Sequence, residues 1–118
     1  MTRGVVVAAF IVSLSSLALA HSQLKKSVPA AGATVAAGQT EVRLQFNEVV
    51  EPRISKVTVE LKGKPIASEP AASDPSDKTT LIVRFAQPLQ AGSYQVNWQA
   101  VSVDTHKVKG SFTFQVAP

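Results

Sequence analysis

The chain has 118 residues, 45% of them hydrophobic, and carries 12 Lys and Arg against 8 Asp and Glu for a formal net charge of +4. It contains no cysteine, which excludes a disulfide framework and a thiolate metal site. The positive charges are scattered without interleaved aromatics, so nucleic acid is excluded as the expected partner.

At the start, a single positive residue, Arg3, precedes an apolar run from Val5 to Ala20 that is broken only by Ser13, Ser15 and Ser16. A charged beginning, an apolar centre and Ala18-Leu19-Ala20 as an A-x-A site form a secretory signal peptide. Residues 1–20 are therefore expected to be a leader and residues 21–118 the mature domain. A retained membrane span needs about 20 predominantly apolar residues. This run falls short of that, so no membrane insertion of the mature chain is expected. Cleavage after Ala20 makes His21 the first mature residue.

Beyond the leader, apolar and polar residues alternate at period two in five places, the pattern of strands with one buried face. Val42, Leu44 and Phe46 form the first set, and Val57, Val59 and Leu61 the second. Leu81, Val83 and Phe85 follow, then Tyr94, Val96, Trp98 and Ala100, and finally Phe112, Phe114 and Val116. Gly and Pro turns separate them, as in Lys62-Gly63-Lys64-Pro65 and Pro88 to Gly92, and no sustained helical repeat occurs after residue 20. These features predict a single all-β domain, a sandwich or barrel. The stretch Ser68 to Lys78, "SEPAASDPSDK", has two prolines and no large apolar group, and is expected to be an exposed loop. Trp98, a large aromatic within an alternating set, is expected in the core.

The chain has two histidines. His106 lies in "SVDTHKVKG", two residues after Asp104. In extended chain, residues i and i+2 share a face with Cβ atoms about 6.5 to 7 Å apart. Alone, Asp-x-His is a weak signal and reads first as a surface turn, with Asp104 accepting a nearby backbone amide and His106 solvated. A mature terminus at His21 changes the chemistry, because its α-amine and Nδ1 can close a six-membered chelate ring. An α-amine has a pKa of only about 7.7 to 8.0, so a metal displaces its proton at modest cost. His106 adds a third nitrogen and Asp104 an anionic oxygen. Three nitrogens and an oxygen suit tetragonal Cu(II) or Ni(II), and the Irving-Williams order favours copper. Binding through backbone amides to a third-position histidine is excluded, since the third mature residue is Gln23. Cu(I) is poorly served, because the only methionine, Met1, leaves with the leader.

Over its mature length the chain resembles the CopC family of periplasmic copper-binding proteins. The matching stretches are "HSQLKKSVPAAGATV", "VRLQFNEVVEPRISKVTV" and "LQAGSYQVNWQAVSVDTHKVKGSFTFQV". The last combines G-x-Y-x-V-x-W with S-x-D-x-H and G-x-F-x-F-x-V. The resemblance implies a Greek-key β-sandwich or barrel, cupredoxin-like or immunoglobulin-like, and a Cu(II) site made by His21, Asp104 and His106. Glu48, in "FNEVV", falls where some members have a carboxylate near the copper; it is either an outer or weak ligand or a solvated strand end. The methionine-rich loop of better-known members, which forms a Cu(I) site, has no counterpart in the "EPAASDPSD" stretch. Thr105 stands where relatives often have glycine.

The expectation is a monomeric periplasmic Cu(II) carrier that binds and transfers without catalysis, serving copper homeostasis or resistance and handing the ion to an inner-membrane importer. Two other classes compete. An amino-terminal histidine chelate with a second histidine is also the copper brace of lytic polysaccharide monooxygenases, but the chain is short for a glycan-binding face and Asp104 stabilises Cu(II) against reduction. A metal-free immunoglobulin-like interaction module explains the sandwich pattern but leaves the histidine placement to chance.

Overall fold

The computed structural model describes residues 24–118. Among the described residues nine strands, β1 (Leu24–Val28), β2 (Thr34–Val35), β3 (Glu41–Phe46), β4 (Lys56–Leu61), β5 (Lys64–Pro65), β6 (Ala72–Asp74), β7 (Asp77–Arg84), β8 (Gly92–Val101) and β9 (Lys107–Val116), follow one another with a single 3-10 turn at Pro52–Ile54. They form a four-stranded sheet in the order β1-β3-β7-β6 and a five-stranded sheet in the order β2-β9-β8-β4-β5. The chain passes repeatedly from one sheet to the other, giving the expected all-β Greek-key sandwich. Among the described residues no helix is long and apolar enough to cross a membrane.

Period-two alternation explains the core. Val42, Leu44 and Phe46 of β3 and Leu81 and Val83 of β7 are buried against Val59 of β4, Tyr94, Val96 and Trp98 of β8, and Phe114 and Val116 of β9. Each such side chain contributes about 1.5 to 3 kcal/mol on full burial. Trp98 is in the core, as its alternating position predicts, and its indole meets Phe46 of the facing sheet edge-on at 5.2 Å between ring centroids. Gly110 of β9 lies opposite Trp98. A Cβ on Gly110 would come within 2.7 Å of the indole, so the absence of a side chain there makes room for the tryptophan.

The polar stretch from Ser68 to Lys78 departs from the predicted loop. Ala72–Asp74 forms edge strand β6 on β7, Ser68 bridges Phe85, and β7 already begins at Asp77. An edge strand pairs through its backbone, so its side chains need no apolar alternation. The outward side chains form a polar network in place of a core. Arg43 bonds Glu41 and reaches Asp74 at 2.8 Å. The Asp77 carboxylate accepts the Thr79 backbone N–H at 3.0 Å and the Thr79 hydroxyl at 2.6 Å. It also accepts the Thr80 hydroxyl at 2.9 Å and the Gln45 amide at 3.0 Å.

One end of the sandwich is closed by chain beyond the regular strands. After β3 the backbone bends at Asn47 and Glu48, and Val50 then forms an antiparallel bridge with Ser102, just past β8. The Glu51 N–H donates to the Val101 carbonyl at 2.8 Å and the Val103 N–H to the Val49 carbonyl at 3.0 Å. The continuation of one sheet is thus laced to the continuation of the other. β1 enters at this same end, with Leu24 opposite Phe46.

Candidate metal centre

The antiparallel lacing around Val50 and Ser102 determines what meets at this end. Two residues back from Val50 is Glu48, and two residues on from Ser102 is Asp104; on an antiparallel pair such positions fall on the same face. The β8–β9 connection then turns back, because Val101 pairs with Lys107, and brings His106 beside both. Ligand atoms of Glu48, Asp104 and His106 all lie within 4.8 Å of one another. His106 Nδ1 is 3.2 Å from Asp104 Oδ1 and 3.9 Å from Glu48 Oε2. Two atoms bound to one ion at about 2 Å can be at most about 4 Å apart, so both spacings suit a single cation. The group is open to solvent, with the His106 and Asp104 side chains 69% and 58% exposed and that of Glu48 32%.

Asp104 and His106 do not meet as neighbours on an extended strand. They sit in a tight connection in which the Thr105 N–H donates to the Ser102 carbonyl at 2.8 Å and Thr105 takes φ 74°. The left-handed residue between them curls the backbone, which brings carboxylate and imidazole closer than strand alternation would. Ser102 donates its hydroxyl to Asp104 Oδ1. That bond holds the Asp104 carboxyl below the usual carboxylate range; partial desolvation opposes it, and the neighbouring imidazole assists it. The carboxylate is therefore held in its anionic, metal-competent form.

Of the four residues singled out from sequence, Glu48, Asp104 and His106 come together, and His21 lies outside the described residues. Ser102 was not singled out, although it stands in the S-x-D-x-H stretch; its hydroxyl acts through other side chains, so no ligand chemistry advertises it. A cleft of about 600 Å³, between Pro52–Lys56 and the Ser68–Ser73 segment, contains none of the three groups.

Fold and site together define a small β-sandwich bearing an exposed carboxylate-imidazole cluster at one end. The CopC domain family matches residues 24–117, and the chain belongs to that family. It is 38% identical over 109 residues to Copper resistance protein C of Pseudomonas syringae pv. tomato, covering 87% of this chain and 86% of that protein. It is 42% identical over 99 residues to Protein YobA of Escherichia coli K12, covering 82% and 79%. The crystal structure of CopC from Methylosinus trichosporium OB3b superposes with a TM-score of 0.75 at 33% identity, covering 83% of this chain and 95% of that one.

Proposed function

We propose that this chain is a periplasmic copper-binding protein that takes one Cu(II) through His21, Asp104 and His106, with Glu48 as a weaker fourth group. The leader is cut after Ala20, and residues 21–118 are the working domain. The observation that carries the reading is the meeting of Asp104, His106 and Glu48 at the end where β1 enters. Leu24, the first residue of β1, lies opposite Phe46, two residues before Glu48. His21 stands three positions before Leu24, and extended chain spans about 3.3 to 3.6 Å per residue. That reach of about 10 Å brings a terminal amine and imidazole within range of the cluster.

The donor set supports Cu(II) over Cu(I): imidazole, amine and carboxylate suit the oxidised ion, and the chain has no cysteine and no methionine beyond Met1. The family relationship to copper resistance proteins supports copper as the cargo. Open access to the cluster suits uptake and release, so the role is carriage or buffering without catalysis, with the ion passed to an inner-membrane importer.

Titration of Cu(II) into the mature protein and into a version with one residue added before His21 tests the chelate. The extended version is expected to bind markedly more weakly; equal affinities overturn it. Mass spectrometry of the mature amino terminus checks cleavage after Ala20 directly.

A further inference from the structure

Ser102 occupies an unusual place for a hydroxyl. It is only 6% exposed, fixed by its bridge to Val50, and yet two residues from one proposed ligand and four from the other. Its hydroxyl donates to Asp104 Oδ1 and accepts the backbone N–H of His106 at 3.1 Å. Its own backbone completes the set, with the Ser102 N–H donating to the His106 carbonyl at 2.9 Å and the Ser102 carbonyl accepting from Thr105. The connection carrying both ligands is therefore tied, by four hydrogen bonds, to one buried residue.

We propose that the Ser102 hydroxyl is the positioning group of the metal centre, holding the Asp104 carboxylate and the His106 backbone in their chelating arrangement before the ion arrives. The inference rests on the copper reading above. Asp104 and His106 are otherwise exposed side chains on a short connection, free to spread over several rotamers, and ordering them on binding costs conformational entropy. A buried hydroxyl with a single proton committed to Oδ1 removes much of that freedom in advance. The bond takes one lone pair of Oδ1, so that oxygen, 3.2 Å from His106 Nδ1, keeps a second lone pair for the ion, as does Oδ2. This is the part that outer partners play at metal sites, where a hydrogen bond to a ligand sets its orientation.

The test compares the mature protein with Ser102→Ala and Ser102→Thr, using Cu(II) affinity by competition with a chromophoric chelator and the electron paramagnetic resonance spectrum at one equivalent of Cu(II). Near-ultraviolet circular dichroism of the metal-free proteins reports on folding. Ser102→Ala is expected to fold, to bind Cu(II) about 10- to 100-fold more weakly, and to give altered copper hyperfine splitting. Ser102→Thr, which keeps the hydroxyl, is expected to restore the parent spectrum and to bind within about threefold of the parent, far inside the usual loss. The proposal is overturned if Ser102→Ala binds with parental affinity and spectrum, or if Thr and Ala weaken binding equally. A parent protein that takes up no Cu(II) brings down the copper reading itself, and is recognised because it fails before any substitution is made.

Discussion

Val50 and Ser102 pair across an isolated antiparallel bridge, and that one pairing brings Glu48 to Asp104. The bridge joins the continuation of β3 to the continuation of β8, so carboxylates drawn from the two different sheets face each other. Like charges placed opposite one another on paired strands destabilise, by about 0.2 to 1 kcal/mol. The pair makes sense as a binding site that accepts a small penalty while empty.

Glu48→Gln is accordingly expected to act in opposite directions on stability and on binding. Metal-free protein should gain a few tenths of a kcal/mol, about the size of one removed cross-strand repulsion. Cu(II) affinity should fall by about tenfold or less, while Asp104→Ala costs more than that, toward 100-fold. Urea titration of the metal-free proteins and chelator competition separate the two effects. A Glu48→Gln variant that binds copper like the parent makes Glu48 a solvated strand end.

Thr105 holds φ 74°, a left-handed conformation that costs a residue bearing a Cβ about 1 to 2 kcal/mol. Thr105→Gly removes that cost but loosens the unfolded chain by roughly 0.5 to 1 kcal/mol. A net gain of about 0 to 1.5 kcal/mol in metal-free stability is expected. It should appear as a higher urea midpoint with an unchanged denaturant slope.

Gly110→Ala is expected to destabilise. The added methyl would stand 2.7 Å from Trp98 Cζ2 and 3.0 Å from Cε2, and overpacking a filled core costs about 1 to 3 kcal/mol. Trp98 is the only tryptophan, so a changed fluorescence emission maximum should accompany the lower melting temperature.

The acid limb of stability is expected to run through Asp77. Four hydrogen bonds, led by that from the Thr79 hydroxyl, pull its carboxyl down to about 2. The usual value for an aspartate is about 3.9. With the folded value lowered, the stabilisation is complete above about pH 4 and is lost as pH falls through the folded value near 2. Asp77→Asn should flatten the fall in melting temperature between about pH 4 and pH 2. An unchanged acid limb would assign that loss to other carboxylates.

The sandwich could be read from the sequence where a strand buries one face, because Val42, Leu44 and Phe46 or Tyr94, Val96 and Trp98 must alternate to do so. Strands β1, β2, β5 and β6 escaped that reading. Lys25 and Lys26 lie within β1, and Ala72–Asp74 of β6 is largely polar. Short edge strands are held by backbone hydrogen bonds and leave little mark on side-chain pattern. At the site, Asp104 and His106 stood out by residue type. Their actual closeness depends on the backbone sign at Thr105, which residue type does not announce, and the approach of Glu48 depends on a bridge between segments 52 residues apart in number, Val50 and Ser102. Distance in sequence of that kind is set by topology, and only family resemblance pointed to Glu48 beforehand.

With no cysteine available, no disulfide cross-links one layer of this sandwich to the other. The proposed ion would do so, since Glu48 follows a strand of the first sheet whereas Asp104 and His106 lie between two strands of the second. Cargo would then double as a removable cross-link. At a free concentration about 1,000 times its dissociation constant, an ion contributes about 4.1 kcal/mol to the folded state, comparable to the 2 to 4 kcal/mol typical of a disulfide. A loaded carrier would thus resist unfolding and proteolysis more than an emptied one, and its lifetime in the cell envelope would track the supply of copper.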